Sequence, residues 1–446
     1  MNQFVLRATM LGVLAVCQPV FADEISDLKA EIAAQKLAAE AQKARLDALE
    51  QKLNGVQQQQ AASVSAPPPP GPEGSAANRV TFKQGEGLTY GSASGSVSLY
   101  GLIDVSYTHI NHANANGDSL TTPRVAWFSG NRWGLTGKRA MGDSGLDVIF
   151  RLEAEYESQT GNFDDNNQMF GRDAWVGVQS DGLGKLTLGW QNAPARDPIG
   201  SAIYGDPYGS AAPSLEEGGY SNNNNFKQLI FYSAGAGAKT RLANGIVWKK
   251  DFKNGLFGSL AYAFGGNAGD FNGGSTKQAT LAYAGGAFNV AGFVTSANVA
   301  DLTNKTYSIG GNYTIGPVRL NTGFFHYTAE QGALGDRKDN AYTVSAKFAP
   351  AGHLDYELGY QNMKANNAAV NGGGNVLNAF ANASSATATA TGSRATLYAS
   401  AFYHFDKITE VYLAADYLKL KDGYKVGATN GFPSQTEVAL GLRTRF

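Results

Sequence analysis

Cysteine is nearly missing from this chain: its 446 residues hold one, Cys17. A disulfide framework is therefore excluded. Histidine is almost as scarce, at five: His109, His112, His326, His353 and His404. Only His109 and His112 lie close together, and no third ligand stands beside them, so solvation at a strand end is a simpler reading than a metal site. No HExxH, Walker loop or GxSxG occurs, and a barrel lipase or protease would need a Ser–His or Asp–His constellation that the chain does not display. The DDNN run at residues 164–167 offers oxygen ligands without EF-hand spacing. No catalytic site, cofactor or metal is expected. Charge of one sign is lacking too: the formal net charge is −1, so nothing marks a nucleic-acid partner. Beyond the leader there is no apolar run long enough for a transmembrane helix. A membrane β-barrel stays open, because its apolar residues alternate and never form a run.

Proline is sparse except in one place: five of the 14 prolines fall in SAPPPPGPEG, residues 65–74. That hinge divides two kinds of sequence. Upstream, Arg7, the apolar ATMLGVLAV and the small-residue VFA before Asp23 read as a secretory signal over 1–22. Cys17 falls inside it; LAVC resembles a lipoprotein signal, but Val16 is bulky for such a site. Residues 23–57 then carry a seam of Ile25, Leu28, Ile32, Gln35, Ala39, Gln42, Leu46, Leu49, Leu53 and Val56, every step three or four residues. This predicts an α-helical coiled coil of roughly 50 Å at about 1.5 Å per residue. Its seam is too weakly apolar between Ile32 and Leu46 for a lone helix, so identical copies are the expected partners. Residues 58–90 read as a Gln/Pro/Gly-rich linker, semi-rigid where the prolines enforce extended geometry.

What is abundant is glycine, at 55, with 21 Tyr and 23 Phe. This suits strands and turns. Val97, Leu99, Ile103, Val105 and Tyr107 alternate with polar residues, and Leu146, Val148, Phe150, Leu152, Ala154 and Tyr156 alternate with Asp147, Arg151, Glu153, Glu155 and Glu157. A soluble sandwich also alternates. Two features favour a membrane barrel: opposed charge crowds the polar faces, and tight connections (MGDSG, DGLG, KNG, TIGP, FDKIT) alternate with long ones. The expected fold is all-β, a 16-stranded antiparallel transmembrane barrel over 91–446. Its first strand, at 96–109, pairs with its last, at 434–446, and a second strand is expected at 125–139. FKQLIFYSA (226–234) could be a further strand, and the low-complexity NGGGNVLNAFANASSATATATG (371–392) reads as a mobile outer loop.

The stretches SVSLYGLIDVSYTH, NRWGLTGKRAMGDSGLDVIFRLEAEYE, FGRDAWVGVQSDGLGKLTLGWQ, RLANGIVW and VALGLRTRF occur in an order that resembles trimeric Gram-negative general porins of the β-proteobacterial branch. The resemblance covers most of 96–446; the rod and hinge lie outside the usual pattern and resemble N-terminal extensions of other trimeric outer-membrane channels. It implies a homotrimer in outer-membrane lipid, a long third loop folded into the lumen as a constriction, and barrel-assembly machinery recognising Phe446. It also implies wall arginines facing loop acids. By motif these are Arg132 (RWGLTG), Arg172 (GRDAWVGV) and Arg241 (RLANGIVW), joined by Arg151 (IFRLE). Alternation sets Arg132 opposite Trp133 and Leu135, and Arg241 opposite Leu242, Ile246 and Trp248. It leaves Arg172 ambiguous, because Ala174, Val176 and Val178 share its parity. Trp190 stands where relatives often carry Arg. The loop would span 192–240, with acids Asp197, Asp206, Glu216 and Glu217, of which Asp206 and Glu216 are expected at the narrowest point. The expected function is passive diffusion of small hydrophilic solutes and ions, with an anion preference set by clustered arginines. The alternatives are a channel favouring organic acids, or a structural barrel whose periplasmic coiled coil, 23–57, reaches peptidoglycan or another periplasmic partner.

Overall fold

The computed structural model describes residues 79–83, 87–125, 127–163, 168–200, 223, 225–236 and 240–446, with ten positions between Lys29 and Gln51. Contacts divide the chain into Met1–Ser75 and Ala76–Phe446. In the first unit the ten described positions are helical and exposed. The signal segment, the hinge and every seam residue except Ile32 lie outside the described residues.

Among its described residues the second unit has nineteen strands: β1 (Arg79–Lys83), β2 (Gly87–Ser92), β3 (Gly95–Ile110), β4 (Leu120–Val125), β5 (Arg132–Ala140), β6 (Asp147–Glu155), β7 (Asp173–Ser180), β8 (Gly184–Asn192), β9 (Arg241–Asp251), β10 (Leu256–Ala263), β11 (Thr276–Gly285), β12 (Phe288–Val299), β13 (Leu302–Ile315), β14 (Val318–Ala329), β15 (Arg337–Phe348), β16 (Leu354–Ala369), β17 (Thr389–His404), β18 (Thr409–Lys421) and β19 (Ser434–Arg445). β3 and β5 to β19 form one closed antiparallel ring, sealed where Glu437 to Arg445 pair with Ile110 to Leu102. β4 and β5 both pair with β3, so the expected second strand exists in two pieces, which makes sixteen staves in all. Strand period does the sorting. On β3, Val97, Leu99, Val105 and Tyr107 are exposed outward, while Asp104, Ser106 and Thr108 are buried inward.

Three segments depart from the expected plan. Part of the expected linker is β1 and β2. β19 reaches down only to Leu102, and β2 takes up the β3 edge from Leu99 to Gly95 that would otherwise stay unpaired. FKQLIFYSA is helix, not strand. The chain turns inward after β8 through a 3-10 turn at Pro194–Arg196 and a one-turn helix, α1 (Asp197–Gly200), and later forms α2 (Asn225–Ser233). Ala195, Ile199, Leu229, Ile230, Tyr232 and Ala234 pack on inward-facing Phe293, Phe325, Tyr327, Ala341 and Met363 of β12 and β14 to β16. Gln278 of β11 holds both ends of this segment, accepting from the Ala195 amide at 3.2 Å and donating to the Ser233 carbonyl at 2.9 Å. Finally, 371–392 is no free loop. Phe380 is fully buried against that cluster, and its amide donates to the Tyr327 hydroxyl at 2.8 Å.

The break in the second stave has its own packing. Trp127 and Phe128 fold inward onto Tyr398, Phe402, Tyr412 and Ala439 of β17 to β19. The Asp104 carboxylate fastens this shelf, accepting from the Ser129 amide at 2.9 Å, the Phe128 amide at 3.2 Å and the Tyr412 hydroxyl at 2.7 Å. Gly441, across from Tyr412, leaves room for the phenol: a Cβ there would stand 2.1 Å from its ring. Gly441→Val should therefore displace Tyr412, free a buried carboxylate and cost about 1–3 kcal/mol. The expected readout is a lower temperature at which the folded barrel loses its compact gel mobility.

Candidate functional site: a charged belt inside the barrel

Inward parity on five neighbouring staves gathers ionisable side chains. β5 contributes Arg132, β6 contributes Arg151, Glu153 and Glu155, β7 contributes Asp173, and β8 and β9 contribute Lys185 and Lys249. Arg172 resolves its ambiguous parity by standing in the bend just before β7, where alternation does not apply. Its side chain turns into the barrel, with Nε 2.5 Å from Glu153 Oε1 and Nη1 2.6 Å from Glu155 Oε2. Arg241 donates through Nε to the Arg172 carbonyl at 2.8 Å and lies 4.0 Å from Glu155. Arg132 is the cross-strand partner of Glu155 and donates to the Gly130 carbonyl at 2.9 Å.

Arg172 is thus braced by two carboxylates of its own wall, and Arg132 and Arg241 stand beside Glu155. Arg132, Arg172 and Arg241 are only 3%, 2% and 9% exposed, so little of any of them is open to direct contact. The reason is proximity: β6 puts Glu153 and Glu155 at the same height on the next stave. Arg151 differs. Its side chain keeps 34% exposure while pairing with Glu153, lying 3.4 Å from Asp173 and donating to the Tyr100 hydroxyl at 2.7 Å. Tyr100 in turn donates to Glu153 at 2.6 Å.

Of the expected loop acids, Asp197 on α1 forms an ion pair with Lys249, and that lysine side chain is 30% exposed. Asp206, Glu216 and Glu217 lie outside the described residues, as does DDNN. Trp190 supplies no lumen position: it pairs across from Ala174 on the outward face, and its indole donates to the Gly171 carbonyl at 2.7 Å. A register shift between Gly189 and Gln191 accompanies this. The same irregularity, with Asn244 at φ 50, buries Leu242 beside Ala193, Val247 and Ala263 rather than leaving it outward. His109 and His112 diverge: one ring meets the Thr121 hydroxyl at 2.7 Å, the other the Ser434 carbonyl at 2.7 Å. Among the described residues no group of three or more His, Cys, Asp or Glu is placed to hold a metal.

The motif search missed Glu153, Glu155 and Asp173 as partners, and Lys185, Lys249 and Trp175 altogether. Counting forward from Asp173 would have found Trp175, and counting on from Arg241 would have found Lys249; neither count reaches Lys185. Removing one member tests the bracing. Arg172→Met leaves Glu153 and Glu155 buried without their principal counter-charge, and should destabilise the barrel by about 3–5 kcal/mol, the usual cost of breaking a buried pair. A denaturant titration of the refolded protein measures it, and Arg172→Lys should restore only part, since it lacks the bidentate fork.

Residues 85–423 match a family model described as Gram-negative porin. An outer membrane porin protein of Bordetella pertussis is 28% identical over 256 residues, which is 50% of this chain and 62% of that relative's length. Among solved structures, an anion-selective porin from Comamonas acidovorans superposes with a TM-score of 0.61 at 20% identity, over 79% of this chain and all of that one. OmpT of Vibrio cholerae gives 0.53 at 16% identity, over 80% of this chain and 99% of that one. Those two likenesses concern the fold. With a family model spanning most of the chain and the closed, charge-lined ring to match it, this protein belongs to the Gram-negative porin family.

Proposed function

We propose that the chain is a diffusion channel of the outer membrane, passing small hydrophilic solutes and ions down their gradients, with an anion preference. One observation carries this reading: a segment of the chain is packed inside a closed ring and meets a cation-bearing wall across the interior. α2 rests on β12 and β14 to β16. β6 is the third stave of the sixteen and β14 the eleventh, so the helix-bearing wall and the arginine wall are half a circumference apart. The Trp127–Phe128 shelf fills part of the remaining sector. Among the described residues, the side left to water and solute is lined by Arg151 and Lys249, with Asp197 on the inserted segment as the opposing charge. That arrangement supports a third-loop constriction with a transverse field, and arginine keeps the field constant across ordinary pH.

Zero-current potentials under a KCl gradient in planar bilayers test the preference. The wild-type chain should show anion selectivity, and Arg151→Gln with Lys249→Gln should move the potential toward the cation side. An unchanged potential would overturn the assignment.

The reading includes a homotrimer, joined in the periplasm by the 23–57 seam. Deleting residues 23–75 should leave conducting barrels whose trimers come apart at lower temperature on a native gel. Trimers of unchanged heat resistance in a weakened envelope would favour tethering instead.

A further inference from the structure

Among the described residues, Lys185 is the belt cation without an ion pair. It faces inward on β8, directly across from Lys249 on β9, and is neither fully buried nor fully exposed. Its ammonium stands 4.0 Å from the centre of the Trp175 ring. Trp175 occupies the inward site on β7 opposite Arg151, and its indole N–H is turned to Asp173 Oδ1 at 3.2 Å. Between the two, the inward site on β7 is Gly177, which puts no side chain in the way. The neighbouring cations are engaged: Arg151 with Glu153, Asp173 and Tyr100, and Lys249 with Asp197. Lys185, by contrast, has no carboxylate at ion-pair distance and no hydrogen bond among the described residues. Among the described residues its three N–H donors meet an aromatic face alone.

An ammonium held on a ring face, with a second cation on the adjacent stave and its donors unspent, is arranged for an acceptor that arrives from the lumen. We propose that Lys185, positioned by Trp175 and flanked by Arg151 and Lys249, is a docking station for a small oxyanion, a carboxylate or a phosphate, in transit through the channel. The proposal rests on the channel reading above. Lys185 touches the solute; Trp175 is a positioning residue that restrains the flexible lysine stem. The anion exchanges water for charge-assisted hydrogen bonds. The pairs already made by Arg151 and Lys249 keep the local charge modest, so the solute can also leave, as conduction requires.

Single-channel recording of the full chain in KCl, with acetate, benzoate or inorganic phosphate added in turn, decides the matter. Oxyanions should interrupt the current in a concentration-dependent way. Which of the three does so identifies the head group. Lys185→Gln should weaken the interruption about tenfold, the effect of losing one hydrogen bond to a charged group. Trp175→Phe, which keeps a ring, should hold the dwell time near wild type, and Trp175→Ala should shorten it. A purely structural tryptophan would show itself by lowered heat resistance of the folded barrel with dwell times intact. Open channels that none of the three anions interrupts would overturn the docking station and leave the pore standing, as would equal interruption in wild type and Lys185→Gln. The absence of any channel current would overturn the pore itself.

Discussion

Every backbone N–H and C=O in a hydrocarbon layer must find its partner within the protein, because no water is there to supply one. The closed ring from β3 to β19 is the solution this chain adopts, and the rest of the structure follows from it. Closure fixes strand period, and period fixes which side chain faces which solvent. The same alternation that turns Leu152 and Ala154 outward turns Arg151, Glu153 and Glu155 inward. A barrel wall cannot place its charges freely. It can only choose residue types at every second position, and the ion-pair belt is the product of those choices on neighbouring staves.

The interior is correspondingly uneven. One wall is dry: α2 and the Phe380 segment bury Phe325, Tyr327 and Met363, which in an empty barrel would line water. Another sector is filled by the Trp127–Phe128 shelf, fastened by Asp104 and by Arg443, which donates to the Ser129 hydroxyl at 2.8 Å. Arg443 also pairs with Glu410, so the shelf is tied into β18 and β19 by charge as well as by packing. The staves β6, β8 and β9 carry Arg151, Lys185 and Lys249 on their inward face. In the proposed channel, apolar packing would decide where the polar path runs, and the buried carboxylates how much of the arginine charge reaches it.

Much of the fold was legible in the sequence, because alternation is a local property. The outward row Val97, Leu99, Ile103, Val105 and Tyr107 stands as read, the staves number sixteen, and the first and last of them pair. What alternation could not show was non-local. The helix at FKQLIFYSA forms where Leu229 and Ile230 meet Phe325 and its neighbours, a contact between residues about a hundred positions apart. The pairing of β2 with the lower edge of β3 depends on where β19 stops, which a stretch of linker-like composition does not disclose. At the belt, motif similarity found the arginines but not their partners. Glu153 and Glu155 were visible as an inward face, yet only the register of β5, β6 and β7 puts them against Arg132 and Arg172. Lys185 was invisible for the same reason: what sets it apart is the lack of an ion pair among the described residues, and a lack of contact has no signature in a linear string.

The seam between β3 and β19 has a kinetic meaning. It joins Leu102 through Ile110 to residues more than three hundred positions further along, whereas the other joints of the ring link neighbours in sequence. Closing so long a loop carries the largest entropy cost of any pairing in the sheet, and non-local pairing is slow. Hairpins can add one to the next while the sheet stays curled and open, and the last gap must wait for the chain's two distant ends to meet. Until then, two unsatisfied edges face either lipid or another chain, both hazardous. A cell that makes this protein must therefore keep the nascent sheet apart from its copies for the whole interval before the seam shuts.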